Sequence, residues 1–204
     1  MNTTASDASV SSEGSLPDGL SSTTSRRDEI VRAAGGILER DGRSGLTMRA
    51  IAAELGIRAP SLYKHIASKR ELEIALVTAA LRELAETFEE VVAGSDDPVL
   101  QIAEAYRTWA LAHPHLYTLM NDQPLPRTEL PEGLEERAVL PLLKAVGGDV
   151  DRARAAWAFA HGMVTLELAD RFPEHADLDS AWSVGLEGIT NQTRTPHHKG
   201  GTTP

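Results

Sequence analysis

The chain has 204 residues, 41% of them hydrophobic and 25% charged, which is enough for one sizeable core or two small ones. It contains no cysteine, which excludes a disulfide framework, a thiolate metal site and a cysteine nucleophile, and fits a reducing cytoplasm. A formal charge of -10 argues against a protein that coats nucleic acid with its whole surface.

That sum hides its distribution. Residues 26–70 hold ten Lys/Arg against five Asp/Glu, a local balance of +5, while the rest of the chain stands at -15. A basic head on an acidic body is what local phosphate contact needs, because the body is then repelled from DNA. Chance clustering on one solvated face is the plain alternative. No apolar run approaches the roughly eighteen residues of a membrane span. Residues 1–25 are Ser/Thr-rich and lack the basic start and apolar stretch of a secretory signal, so a disordered arm is expected there. A similarly loose tail is expected at 193–204.

Ala, Leu, Glu and Arg dominate and strict apolar/polar alternation is nearly absent, so the expected fold class is all-α. The expected organisation is an N-terminal three-helix helix-turn-helix domain at 26–70, then a larger helical ligand-binding and dimerisation domain at 71–192. The first helix is expected from about Arg26 to Asp41, with Ile30, Ala33, Ala34, Ile37 and Leu38 on one stripe and Gly42 as its stop. Thr47 is placed to cap a short helix ending at Leu55 and Gly56, and Pro60 suits the first turn of a second short helix. In "SKRE", Ser68 and Glu71 have capping-box spacing and start a long helix reaching about Ala93. Leu72, Leu76, Ala80, Leu84 and Phe88 form one row of that helix, and Ile74, Val77 and Leu81 a second. Further helices are expected near 98–112, 114–121, 134–146 with Pro141 inside, 150–172 and 178–190. The loop "DQPLPRTELPEG" reads as a mobile linker.

"TMRAIAAELGIRAPSLYKHI" carries what a helix-turn-helix needs. Ala52 is small where two helices cross, Gly56 can take a left-handed conformation, and Ile51, Leu55, Ile57 and Leu62 can close a small core. Ala59, Ser61, Tyr63, Lys64 and His65 then surround the buried Leu62 on a face free to enter a major groove.

The wider stretch "GLTMRAIAAELGIRAPSLYKHIASKREL" resembles the DNA-binding segment of the TetR family of bacterial transcriptional repressors. The resemblance implies a homodimer on a palindromic operator, released by a small molecule. It also implies that Thr47, Tyr63, His65 and Lys69 meet phosphates, while Arg49, Ala59, Pro60, Ser61 and Lys64 face bases or the groove rim. The chemistry agrees: Arg49 suits guanine O6 and N7, Ala59 and Pro60 can touch only methyl groups, and Lys69 sits at a helix start. Ala59 departs from the polar residue often found there, which leaves selectivity to Arg49, Ser61 and Lys64. Structural alternatives stand beside these roles: Tyr63 packed on the first helix, His65 at a helix C-terminus, and Thr47 as a cap alone.

In the body, "RAAWAFAHGMVTLELADRF" sets Ala155, Ala158 and Gly162, and separately Ala156 and Ala160, at helical spacing. Such rows allow close helix approach, and with the last helix they suit a two-fold homodimer interface. Trp157, His161 and Gly162 resemble the W-x-x-x-H-G signature of one C-terminal subclass, the WHG domain, and "HPHLYTLM" resembles a second piece of it. An effector pocket, mostly apolar, is expected beneath the long helix, lined by Phe88, Tyr106, Trp109, Tyr117, Met120, Trp157 and His161. These are core residues by default, with His161 either a polar anchor or a satisfied buried histidine. The histidines lack metal-ligand spacing and no catalytic constellation appears, so no cofactor, metal, membrane or enzymatic activity is expected. The remaining alternative is a helical interaction module or helical-bundle enzyme whose helix-turn-helix does not bind DNA.

Overall fold

The computed structural model describes residues 25–190, so the expectations for the tail and for all of the N-terminal arm but Ser25 lie outside the described residues. Nine α-helices follow one another among these residues: α1 Arg26–Gly45, α2 Met48–Glu54, α3 Ala59–Leu62, α4 Lys69–Val92, α5 Pro98–Ala112, α6 Pro114–Asn121, α7 Leu134–Ala145, α8 Val150–Leu168 and α9 Leu178–Thr190. No described residue is in a strand, and no described helix is long and apolar enough to cross a membrane.

Helix α1 opens with a capping box that the sequence reading missed. The Ser25 hydroxyl accepts from Asp28 N at 3.1 Å, and the Asp28 carboxylate accepts from Ser25 N at 3.2 Å. Gly42 breaks the helical path with φ 68°, as expected of a stop, but the chain resumes one helical turn to Gly45 before leaving. The Ser68 cap of α4 also forms, accepting from Glu71 N at 3.1 Å. Its reciprocal half does not, because the Glu71 carboxylate is taken by Ala67 N at 2.8 Å and by Arg27.

The i+4 row of α4 is buried throughout, from Leu72 to Phe88, and its upper half packs against α5 and α7. The loop expected to be a mobile linker is instead tied at both ends of a 3₁₀ turn, Arg127–Glu129. Glu129 pairs with Arg70 of α4, and Arg127 pairs with Glu135 of α7 at 2.9 Å. Helix α8 ends at Leu168 rather than Phe172, because the backbone turns through Asp170 with φ 51°.

Two apolar cores result. The body core gathers side chains of α4, α5, α6, α7, α8 and α9, including Phe88, Trp109, Tyr117 and Trp182. The head core gathers Ile30, Ile37, Leu38, Ile51, Leu62 and Ile66, and extends to Leu72 and Leu76 of α4 and Leu119 of α6. A second bond joins the two: Glu39 of α1 accepts from His115 N at 3.1 Å and from Leu116 N at 2.8 Å, capping α6.

Helices α5, α8 and α9 are held by Arg107, which reaches Glu167 at 2.8 Å and Asp179 at 2.6 Å and lies over the Trp182 ring. Glu167 also accepts from Trp182 Nε1 at 2.7 Å, so this nearly buried carboxylate is satisfied on both oxygens. Close approach of α8 and α9 depends on Gly185, where an added Cβ would overlap the Phe159 ring. Gly185→Ala is therefore expected to push Phe159 off its edge-on contact with Trp182 and to destabilise the fold by about 1–3 kcal/mol, read as a lower urea midpoint.

Candidate nucleic-acid interface

Thr47 caps α2 by accepting from Ala50 N at 3.1 Å. The helix closes with Gly56 at φ 63°, Gly56 N donating to Ala53 O at 3.1 Å and Ile57 N to Ala52 O at 2.9 Å. That pair of bonds is a Schellman closure, and it fixes the turn between α2 and α3. Arg58 is the N-cap residue of α3, with Pro60 in the first turn. The expected second short helix is regular over only four residues, yet Ile66 N still donates to Leu62 O at 3.1 Å. Tyr63, Lys64 and His65 therefore stay on a helical turn around the buried Leu62.

The end of that turn is clamped from behind. Arg27 of α1 donates to His65 O at 2.9 Å and to Glu71 at 2.6 Å. Arg27 and the Ala67 N–H hold the Glu71 carboxyl below the usual carboxylate range.

Exposure separates the functional reading from the structural one. Tyr63 is 50% exposed rather than packed on α1. Thr47, Arg49, Pro60, Ser61, Lys64, His65 and Lys69 are exposed, and Ala59 is half-buried beside them. The cations sort in the same way. Away from this surface five of the six are neutralised: Arg26 by Glu29, Arg27 by Glu71, Arg40 by Asp41 and Glu54, Arg43 by Glu73, and Arg70 by Glu129, while the exposed Arg32 of α1 makes no ion pair among the described residues. Arg49, Arg58, Lys64 and Lys69 have no carboxylate partner among the described residues. Glu73, the one acid within helical reach of Lys69, is occupied by Arg43 at 3.4 Å, while Lys69 Nζ points to Arg43 O at 3.4 Å. Arg58 was not singled out from sequence; its place before Pro60 in the turn was the available signal.

Residues 29–76 match the family described as bacterial regulatory proteins, tetR family, and residues 99–189 match the tetracyclin repressor-like C-terminal domain. The chain belongs to the TetR family. It is 34% identical to the helix-turn-helix-type transcriptional regulator Rv0681 of Mycobacterium tuberculosis over 152 residues, 70% of each chain. Among solved structures, protein SCO4313 superposes with a TM-score of 0.67 at 26% identity, covering 81% of this chain and 95% of that one. A TetR variant from Acinetobacter baumannii, solved in complex with minocycline, gives 0.56 at 26% identity, covering 79% and 92%. TetR-family proteins are transcriptional regulators rather than enzymes, and they bind DNA, form dimers and bind small molecules.

In this TetR-family body the expected effector residues fall into two groups. Phe88, Trp109 and Tyr117 are buried, with Tyr106 and Met120 packed against the same core. Tyr106 donates to the Tyr117 hydroxyl at 3.3 Å, and that hydroxyl lies 2.6 Å from His161 Nδ1. Burial and the Tyr117 hydroxyl raise the Tyr106 pKa far above the ordinary phenol value. Trp109 Nε1 is buried with no acceptor. Trp157 departs from the expectation: it is 54% exposed on the outer face of α8, stacked on His161. The reason is its register, since Ala156 and Ala160 take the inward positions of α8.

The Glu71 clamp sets a pH expectation. Its folded pKa lies below the ordinary 4.5, so its stabilisation is complete above pH 4.5 and is lost as pH falls through the depressed value. Glu71→Gln is expected to lower the melting temperature at neutral pH and to flatten its decline below pH 4.5, measured by circular dichroism.

Proposed function

We propose that this TetR-family regulator is a dimeric, cytoplasmic repressor that binds a palindromic operator through residues 47–69. Its helix-turn-helix domain spans 26–70, and its ligand-binding and dimerisation domain spans 71–192. The observation that carries the reading is the set of four unpaired cations, Arg49, Arg58, Lys64 and Lys69, on the exposed helix-turn-helix surface of an otherwise acidic chain. Arg49 reads guanine, Ser61 and Lys64 enter the groove, and Ala59 and Pro60 meet methyl groups. Thr47, Tyr63, His65 and Lys69 hold phosphates; the Thr47 oxygen accepts from Ala50 N, which leaves its O–H free to donate.

The partner copy docks on α8 and α9. Support comes from the outward row of α8, where Ala155 and Ala158 are exposed, Trp157 is 54% exposed, and an added Cβ at Gly162 meets nothing within 4 Å. Val184 of α9 is 68% exposed. Apolar and small side chains left open on two adjacent helices fit a two-fold four-helix interface.

A mostly apolar effector enters the body among Phe88, Tyr106, Trp109, Tyr117, Met120 and His161, with Trp157 left to the outer face of α8. The orphaned Trp109 N–H and the Tyr106–Tyr117–His161 chain supply polar anchors in an apolar surround. Tyr117 lies on α6, whose first turn is capped by Glu39 of α1, so a shift of α6 reaches the head directly. A shift passed on to α4 then moves the two heads away from the separation of about 34–36 Å that adjacent half-sites require.

Gel shifts on fragments of its own upstream DNA, run across salt concentrations, test the reading; the absence of any discrete shifted fragment would reject it. Lys69→Ala is expected to weaken binding to every sequence and to lower the salt slope by about one. Arg49→Ala is expected to relax selectivity at one base pair by about 1–3 kcal/mol. Equal losses on all sequences for both variants would overturn the division of roles. Val184→Glu is expected to yield a helical monomer in sedimentation; a dimer that persists would place the interface elsewhere.

A further inference from the structure

A cleft of about 400 Å³ lies between α1, the middle of α4 and the loop at 129–131, and none of its lining residues belongs to the aromatic body core. Its apolar wall is formed by Val31, Ile74, Leu130 and Pro131. Ile74, Thr78 and Arg82 follow one another at i+4 on α4, so the three face the cleft as a single row. Space opens between them and α1 because α4 carries only Ala75 and Ala79 on the adjoining positions.

Two polar groups in this cleft are uncommitted. Thr78 is 8% exposed, and its hydroxyl makes no hydrogen bond. Arg82 has no carboxylate at ion-pair distance, although it adds to the Ser25 hydrogen bonds and Arg32 in holding the nearby Asp28 carboxyl below its usual range. The other charges lining the cleft are already engaged. Arg27 holds Glu71 and His65 O, Asp28 caps α1 through Ser25, and Glu129 pairs with Arg70. One cation therefore remains, one turn from an unpaired hydroxyl, at the edge of an apolar wall.

We propose that this cleft is a second small-molecule site, separate from the effector region, which takes an amphipathic monocarboxylate. The carboxylate lies between the Arg82 guanidinium and the Thr78 hydroxyl, and the apolar chain lies on Ile74, Val31 and Leu130. Guanidinium and hydroxyl donors match a carboxylate's two oxygens, and the volume falls in the range of small-ligand pockets. Its walls come from a head helix, the connecting helix and a body loop at once. A bound molecule therefore bridges head and body, and its affinity differs wherever their relative position differs.

Calorimetric titration of the full chain with sodium octanoate, and with 1-octanol as the uncharged counterpart, tests this. One octanoate per chain is expected, with octanol weaker by about ten-fold or more. Arg82→Gln and Thr78→Val are each expected to weaken octanoate while leaving octanol unchanged. Ala79→Phe fills the cleft from an exposed helical position and is expected to abolish binding, with helical content retained by circular dichroism. Tyr117→Phe, in the body, is expected to leave octanoate affinity unaltered, which separates this site from the proposed effector region. Absence of octanoate binding at millimolar concentration, binding that survives Ala79→Phe, or binding lost with Tyr117→Phe would each overturn the proposal.

Discussion

Glu39 places both carboxylate oxygens on the first free N–H groups of α6, and Leu119 of the same helix is sealed in the head core. These two contacts decide how the molecule can move. A negative charge at a helix N-terminus is favoured by unsatisfied donors and by the helix dipole. Leu119 in a core resists withdrawal, because leaving would open a cavity. Helices α1 and α6 are thus one mechanical unit, and α4 runs alongside both. The clamp from Arg27 to His65 O and Glu71 ties α1 in turn to the end of the turn after α3.

Charge is arranged on the same plan. The head has more cations than acids, yet the acids are not spread evenly among them. Glu29 and Asp41 neutralise arginines within α1, while Glu54, Glu71, Glu73 and Glu129 pair with arginines across different elements. These exposed pairs add little stability individually, but each removes an arginine from the pool that can meet phosphate. Apart from Arg32 on α1, what remains unpaired in the helix-turn-helix domain lies on one surface, which orients the field that meets a duplex.

Most of the architecture was legible in the chain because local patterns and tertiary packing agree. The buried row of α4, the Thr47 and Ser68 caps, the Gly56 closure and the Pro-started helices α5 and α6 each rest on residues within a turn of one another. The largest failures are long-range, although the Ser25–Asp28 capping box, a local feature, was also missed. Glu71 has the spacing of a capping box, but Arg27, 44 residues earlier in sequence, is the stronger partner. Glu39 reaches α6 across a separation of 76 residues, which no periodicity reveals. The Pro-rich loop reads as mobile, and only the fold brings Arg70 to Glu129. On the candidate interface, exposure of Tyr63, Lys64 and His65 followed from Leu62 being the inward residue. Arg58 escaped notice because its significance lies in lacking a partner. Trp157 was misplaced because small alanines, rather than the large aromatic, hold the inward face of α8.

Leu119 in the head core has one more consequence. It makes the head incomplete as a unit of transfer between regulators: a segment cut before α6 loses Leu119 from the core that also holds Ile30, Leu38 and Leu76. Grafting this operator reader onto a foreign sensor would therefore require importing a matching leucine and an acid-compatible first turn in the recipient's sixth helix. Specificity for DNA and responsiveness to a signal are joined in this chain by shared side chains, so they cannot be exchanged as independent cassettes.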